Sequence, residues 1–431
     1  MSQRLLANPQ SVGKQMLASG FNDKRHIAAR KALLSGNIAE AMAAAERVAS
    51  SNAPWAMYVL AAAEWFRGHR MRTAGYSTRG LRLPPNGPIE TRYQHLLRQI
   101  EAEFTAGVPE MLAASPRPLL SVCMITRDEE RGLARCLKSV ASVADEIVVV
   151  DTGSKDHTIE IAKAAGARVK EIEWPNDFAA ARNAALDAAT GDWVLSIDGD
   201  EWLDEIAYRP LRACLADPSC SFIPLVKSHS GGQSFVNTRL FPRKGARWKG
   251  SIHEDIEPNP DVMSVQISAI LLHHDGYAPE VVEAQGKGER NKALIEAMKQ
   301  HGPKERQTAE IFEALHDSAH AKTNEEAIAA LQSAVALNTT NSGLMRQVFN
   351  ALAIKLTRDA RFEEALQLVE LAEKRDLQGL WSYYILARMA YENGDKGVAK
   401  KWARTGLAMR DYEGPTEQYR KDLEAIRDGT F

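Results

Sequence analysis

With 431 residues, the chain has enough material for two or three domains and ample buried core. A formal net charge of −2 leaves no broad basic field and argues against nucleic acid as a partner. The four cysteines, Cys123, Cys136, Cys214 and Cys220, form no CxxC pair and read as reduced thiols.

The opening MSQRLLANPQSVGKQ lacks the apolar core of a signal peptide. No run approaches the roughly 20 apolar residues of a membrane helix, so the expectation is a cytoplasmic protein. From about Asp23 to Ala106 the chain is alanine-rich with helical spacing, as at Leu33, Ala41, Ala45 and Val48, then Trp55, Tyr58, Val59, Ala62 and Trp65. Pro84-Pro85-Asn86-Gly87-Pro88 interrupts it. Gly36-Asn37 before Ala41 recurs as Gly394-Asp395 before Ala399, which predicts helical hairpins at both ends of the chain. Ser115-Pro116-Arg117-Pro118 then marks a boundary, giving an N-terminal helical domain over 1–116.

Three apolar runs follow, Leu119 to Thr126, Glu146 to Val150 and Trp193 to Ile197, none with an alternating polar face. They predict buried parallel strands. Helical segments lie between them, with a weaker strand over Arg168 to Ile172 and a helix over Phe178 to Ala189. This is a βαβ series, an α/β domain over 117–300.

Ligands of an open parallel sheet collect at the carboxyl ends of its strands, so Thr126, Asp151, Asp198 and Asp200 are expected on one rim. In an extended segment the i, i+2 pair Asp198 and Asp200 would face the same side. Two oxygen ligands beside Gly199 suit a divalent cation, Mn²⁺ or Mg²⁺, carrying a diphosphate. Taken singly, Asp198-Gly199 reads equally well as a hairpin turn and Asp151 as a helix N-cap. A dinucleotide fold would need a glycine-rich turn where Thr126-Arg127-Asp128-Glu129-Glu130 stands, and a calcium loop would need oxygen ligands where Trp202 and Arg209 stand.

The runs LSVCMITRDEE, EIVVVDTGSKDHT, DFAAARNAA and GDWVLSIDGDEWL are similar to the nucleotide-sugar domain of inverting family 2 glycosyltransferases, whose fold is called GT-A. The similarity extends through RLFPRKGARWKGSIHED and HHDGY to about Asn291. It implies that Thr126 and Asp151 contact the nucleotide base, with Glu129 among the donor-binding positions. By the same resemblance Arg182 lies near the nucleotide or diphosphate, Asp198 touches the ribose, Asp200 holds the metal, and His274 completes the metal site. A surface salt bridge is the alternative for Arg182. An inverting transfer needs a carboxylate to take the acceptor proton, and Glu254 is the first choice and Asp255 the second. Glu254 would otherwise only orient His253. Trp248 is a candidate sugar platform, with His253 also on the substrate side. Lys287 and Arg290 share a helix face and would neutralise the leaving diphosphate if near the metal, and would be solvated elsewhere. No HExxH is present around His273 and His274.

From about Glu305 the chain is helical again, over 301–431. Glu325-Glu326-Ala327, Glu363-Glu364-Ala365 and Gly397-Val398-Ala399 recur at a spacing close to that of tetratricopeptide repeats, which this region resembles. Such stacks offer concave surfaces for peptides, or brace a neighbouring domain or a homo-oligomer. The expected function is metal-dependent inverting transfer of a sugar from a UDP-sugar. A protein or peptide acceptor comes first, because the resemblance includes repeat-bearing peptide S-glycosyltransferases. Lipopolysaccharide core glucosyltransferases make a glycan acceptor the alternative. A repeat adaptor with a vestigial sugar-nucleotide domain is the reading from another class.

Overall fold

The computed structural model describes residues 8–16, 23–48, 53–83, 92–102, 118–228, 233–235, 237–257, 259, 262–275, 287–300, 302–337, 342–375, 377–408 and 416–431. The breaks read from Pro84–Pro88, Ser115–Arg117 and Ser230–Gly232, and the Gly276-Tyr277 pair, lie outside them. The chain divides into two compact units, Met1–His229 with Phe235–Gly276, and Ser230–Ser234 with Tyr277–Phe431. Among the described residues no helix is long and apolar enough to cross a membrane.

The first unit opens with α1 (Pro9–Gln15), α2 (Lys24–Leu34), α3 (Ile38–Glu46), α4 (Pro54–Phe66), α5 (Arg70–Arg82) and α6 (92–102). Their shared core is built round α4, which is buried on every side from Pro54 to Glu64. A helix without a polar face has to be enclosed, and the alanines of WAMYVLAAAEW let its neighbours come close. α5 joins this bundle to the sheet that follows. Its Met71 and Ala74 share a core with Leu120 and Val265. Gly75 permits the approach, since a Cβ there would lie 2.8 Å from Val265 Cγ1.

The rest of this unit alternates strand and helix: β1 (Leu120–Thr126), α7 (Leu133–Val140), β2 (Glu146–Asp151), α8 (Thr158–Ala164), β3 (Arg168–Glu171), α9 (Phe178–Ala188), β4 (Trp193–Ser196) and β5 (Glu201–Leu203). In chain order after α10 (Tyr208–Cys214) come β6 (Cys220–Ser228), β7 (Gln233–Phe235, of which only Phe235 falls in this unit), β8 (Leu240–Pro242), β9 (Trp248–Lys249), β10 (Asp255–Ile256) and β11 (Met263–His274). The central path is β3-β2-β1-β4-β8-β6-β11-β5. β3, β2, β1 and β4 are parallel, β8 runs antiparallel to β4 and β6, and β5 runs antiparallel to β11.

Two-sided burial explains the unbroken apolar runs. In β1, Leu120, Val122 and Met124 face α7, while Cys123 and Ile125 face α9. β2 and β4 alternate likewise, Val149 and Leu195 on one side, Val148, Val150 and Val194 on the other. Each such side chain contributes about 1.5–3 kcal/mol of burial, which fixes the register that aligns the strand ends. All four cysteines are buried and free, and burial pushes the Cys123 and Cys220 thiols up to about 12.

The second unit is helical: α11 (Lys287–Met298), α12 (Pro303–His320), α13 (Asn324–Val335), α14 (Ser342–Arg358), α15 (Phe362–Arg375), α16 (Leu380–Glu392), α17 (Lys396–Ala408) and α18 (Thr416–Asp428). Asn324, Phe362 and Lys396 open the second helix of successive pairs, 38 and 34 residues apart. The last two pairs turn alike. Gly394 has φ 84°, and the N–H groups of Gly394 and Asp395 return to the carbonyls of Tyr391 and Ala390. Gly36 makes the same turn in the first unit with φ 81°, its N–H and that of Asn37 returning to Leu33 and Ala32.

Candidate active site

The loops leaving β1 and β2 are laced together. Thr126 stands opposite Asp151 in the ladder, and its Oγ1 donates to Asp151 Oδ2 at 3.2 Å. Asp151 Oδ1 accepts from the N–H groups of Gly153 (3.0 Å) and Ser154 (2.9 Å), and Oδ2 also accepts from Ser154 Oγ. The aspartate therefore closes its own tight turn, helped by Gly153 at φ 101°, and does not cap α8, whose N-cap is His157. Further ties run from Asp128 N to Ser154 Oγ, from Lys155 N to Asp128 Oδ1 and from Glu129 N to Thr158 Oγ1. Glu129 lies over the Asp198–Asp200 segment. A Cβ on Gly199 would come within 3.1 Å of the Glu129 Cβ and Cγ, so a larger residue there requires Glu129 to give way by a few tenths of an ångström.

Asp198, Gly199 and Asp200 form a turn rather than the extended segment expected, with Glu201 N–H donating to Asp198 O at 3.0 Å. The two carboxylates consequently take different partners. Asp198 Oδ1 accepts from Arg182 Nη2 at 2.9 Å and Oδ2 from Arg239 Nη2 at 3.2 Å. The same Arg239 nitrogen reaches Glu201 Oε1 at 3.1 Å, and Glu201 Oε2 accepts from Asp198 N at 2.9 Å. Arg182 also donates from Nη1 to Ser196 Oγ (3.2 Å) and from Nε to Glu254 Oε1 (2.5 Å). Two guanidinia thus serve three carboxylates, Glu201 and Glu254 buried and Asp198 partly exposed.

Burial alone would raise the Asp198 carboxyl, but Arg182 and Arg239 outweigh it and hold the group well below the usual carboxylate range. Glu201 goes the other way. Burial pushes it up to about 7, Arg239 opposing and Asp198 adding to the rise. The expectation for Arg182 is a place near the nucleotide or diphosphate, with a surface salt bridge as the alternative. Its burial rules out the surface pair, and all three of its nitrogens donate to protein acceptors. Sequence reasoning missed Glu201 and Arg239, although the first follows Asp198-Gly199-Asp200 directly and the second opens RLFPRK.

Asp200 faces β11, where His274 Nε2 lies 3.6 Å from its Oδ2. Among the described residues no three of His, Cys, Asp and Glu gather into a metal-holding group. Two converging donors, one oxygen and one imidazole nitrogen, still fit Mn²⁺ or Mg²⁺, which take the rest of their shell from phosphate oxygens and water. His273 points elsewhere. Its Nε2 pairs with Asp204 Oδ2 at 2.8 Å, and its ring stacks on Trp202 at 5.1 Å.

Glu254 comes from the loop between β9 and β10, which α9 holds in place. Asn183 accepts from Trp248 N and donates to Trp248 O, both at 3.0 Å, and Phe178 N donates to Ser251 O. Trp248 is not exposed for the sugar platform expected of it. It is 3 % accessible, edge-on to Phe241 at 5.8 Å, with the Arg182 guanidinium 5.2 Å over its ring. The tryptophan packs against the arginine that links Asp198 and Glu254. Asp255 Oδ1 is occupied by the N–H groups of Thr238 and Ile256, and is not brought to Asp198. His253 is exposed, with φ 53°. Lys287 and Arg290 lie on α11 in the other unit, and the Lys287 side chain is outside those described.

Residues 121–251 match the family model for glycosyl transferase family 2. An uncharacterized glycosyltransferase of Rickettsia bellii is 37 % identical over 199 residues, 41 % of this chain and 67 % of that protein. The chain belongs to glycosyltransferase family 2, and its first unit carries the GT-A fold. A TPR repeat-containing protein of Synechococcus elongatus is 37 % identical over 189 residues, 41 % of this chain and 47 % of that protein. The SPbeta prophage-derived glycosyltransferase SunS of Bacillus subtilis is 28 % identical over 193 residues, 43 % of this chain and 46 % of that protein. The chain spans about half the length of these last two relatives.

Proposed function

We propose that this protein is a metal-dependent inverting glycosyltransferase that takes a sugar from a nucleoside-diphosphate sugar, a UDP-sugar first, and passes it to a protein or peptide. The observation that carries this reading is the Arg182 guanidinium, which holds Asp198 on the donor side and Glu254 on the acceptor side at once. Displacement in one step needs donor and base in fixed relation, and a buried arginine between their carboxylates supplies it. Glu254 takes the proton of the acceptor nucleophile as the new bond to the sugar forms. Asp200 and His274 would hold a divalent ion, whose charge would stabilise the departing diphosphate. Thr126 and Asp151 line the base end, where Asp151 exchanges an internal hydrogen bond for the imide proton of a uracil. The helical pairs α12 to α17 favour a macromolecular acceptor, since stacked hairpins offer long surfaces that a small acceptor would not need.

The test is donor hydrolysis across UDP-, GDP- and dTDP-sugars with and without Mn²⁺, repeated with cell lysate and read by intact-protein mass. Manganese-dependent release of nucleoside diphosphate and a hexose mass increment on a protein are expected. Absence of both release and nucleotide binding leaves the adaptor reading in its place.

A further inference from the structure

We propose that Glu201 and Arg239 are positioning residues which lock the Asp198–Asp200 turn into its donor-binding shape without touching the donor. The proposal rests on the glycosyltransferase reading above. Its basis is a closed ring of contacts. Glu201 N–H donates to Asp198 O, Glu201 Oε2 accepts from Asp198 N–H, and Arg239 Nη2 joins Glu201 Oε1 to Asp198 Oδ2. Residues 198 and 201 are therefore tied by both backbone and side chains, with Gly199 and Asp200 carried between them.

The ring is anchored at each end. Arg239 is wedged between strands, its N–H donating to Phe222 O at 3.0 Å and its carbonyl accepting from Ser196 N at 2.8 Å. Glu201 opens β5 directly opposite His274 in the β5–β11 ladder, so it couples the Asp198 turn to the strand that supplies the second metal donor. Asp275 N–H, donating to Asp200 O at 3.1 Å, closes the same corner. The Glu201 carboxylate is spent on Asp198 N–H and Arg239, and Arg239 Nη2 on Glu201 and Asp198, so both side chains act through the turn.

Stability alone does not account for the guanidinium. Arg239 Nε and Nη1 are buried without a hydrogen-bond partner, a cost that a methionine of similar length would avoid. What the arginine supplies is geometry. A nitrogen that meets two carboxylates at once fixes their separation, and a turn held that way needs no ordering when the donor arrives.

The experiment is calorimetry of UDP, GDP and dTDP, each with Mn²⁺, on the full chain. The double variant Glu201→Leu/Arg239→Met replaces both buried charges by apolar groups. It is expected to keep a melting temperature near that of the wild type while nucleotide–manganese affinity falls by about ten-fold or more. Arg239→Lys should recover part of that loss. Should the double variant not fold, Glu201→Gln and Arg239→Lys carry the same comparison with smaller changes. Folded variants that bind as tightly as the wild type overturn the proposal and leave the glycosyltransferase reading standing. A wild type that binds none of the three nucleotides removes that reading and this one with it.

Discussion

Arg182 Nε donates to Glu254 Oε1 at 2.5 Å, joining a helix that precedes the aspartate-bearing strand to a loop 72 residues further along. Its other nitrogens hold Asp198 and Ser196, so the side chain is a three-way bracket. Lysine keeps the charge but not the planar fork. Arg182→Lys is expected to abolish detectable donor turnover and to lower the melting temperature by several degrees, since breaking a buried charge network costs about 3–5 kcal/mol. Thermal denaturation beside donor hydrolysis checks it, and a variant with normal turnover would show that the bracket is not needed for chemistry.

The choice between the two acidic neighbours follows from their contacts. Glu254 is held in the network, whereas Asp255 closes backbone N–H groups of its own hairpin. Glutamine at 254 still accepts from Arg182 Nε, so Glu254→Gln should leave nucleotide affinity within about two-fold while the transfer rate falls by roughly 10²–10⁴. Asp255→Asn should change the rate little. Single-turnover kinetics separate binding from chemistry, and the reverse ranking would move the base to Asp255.

Asp200 and His274 meet at 3.6 Å, and this pair carries the expected metal dependence. Asp200→Ala should remove manganese-dependent tightening of UDP binding while leaving the fold, because the carboxylate is not part of the Arg182–Arg239 network. Titration of UDP with and without Mn²⁺ is the check. Equal tightening in the variant would put the ion elsewhere.

Three of the strands that frame this site were legible because burial on both faces leaves a mark in the sequence. β1 presents Leu120, Val122 and Met124 to one helix layer and Ile125 to the other, and no polar alternation survives. The antiparallel half left no such mark, β5 and β8 being three residues each. The same limit hid Arg239, which meets Asp198 across 41 residues of chain that carry no periodic signal. The i, i+2 spacing of Asp198 and Asp200 assumed an extended backbone, while the turn closed by Glu201 sends one carboxylate to the arginines and the other to His274. The identity of Trp248 suggested a ring offered to sugar, but exposure is not written in a residue type, and its neighbours Phe241 and Arg182 enclose it.

The hairpin turns yield a stability prediction. Ala360 has φ 54°, and the N–H groups of Ala360 and Arg361 return to Thr357 and Leu356, the pattern that Gly394 and Gly36 make. An L-residue in that left-handed region costs about 1–2 kcal/mol, of which glycine recovers part after its own chain entropy. Ala360→Gly should raise the thermal midpoint of the helical unit by a few degrees, and Ala360→Val should lower it. A calorimetric scan in which glycine destabilises would show that the turn is not strained.

A pH dependence is built into the N-terminal bundle. His26 is buried, its Nε2 2.5 Å from Tyr93 Oη and its ring edge-on to Trp55 at 5.2 Å. Burial pushes it down to about 4, with Asp23 opposing and Arg30 adding to the fall. The unfolded chain takes up a proton near pH 6.5 that the folded chain refuses until about pH 4. Between those values the unfolded state binds more protons, so the contribution of His26 to stability is complete above pH 6.5 and is lost progressively as pH falls toward 4. The first unit should therefore melt at a lower temperature at pH 5 than at pH 7, and His26→Gln should flatten that difference. A slope unchanged by the substitution would assign the pH dependence to other groups.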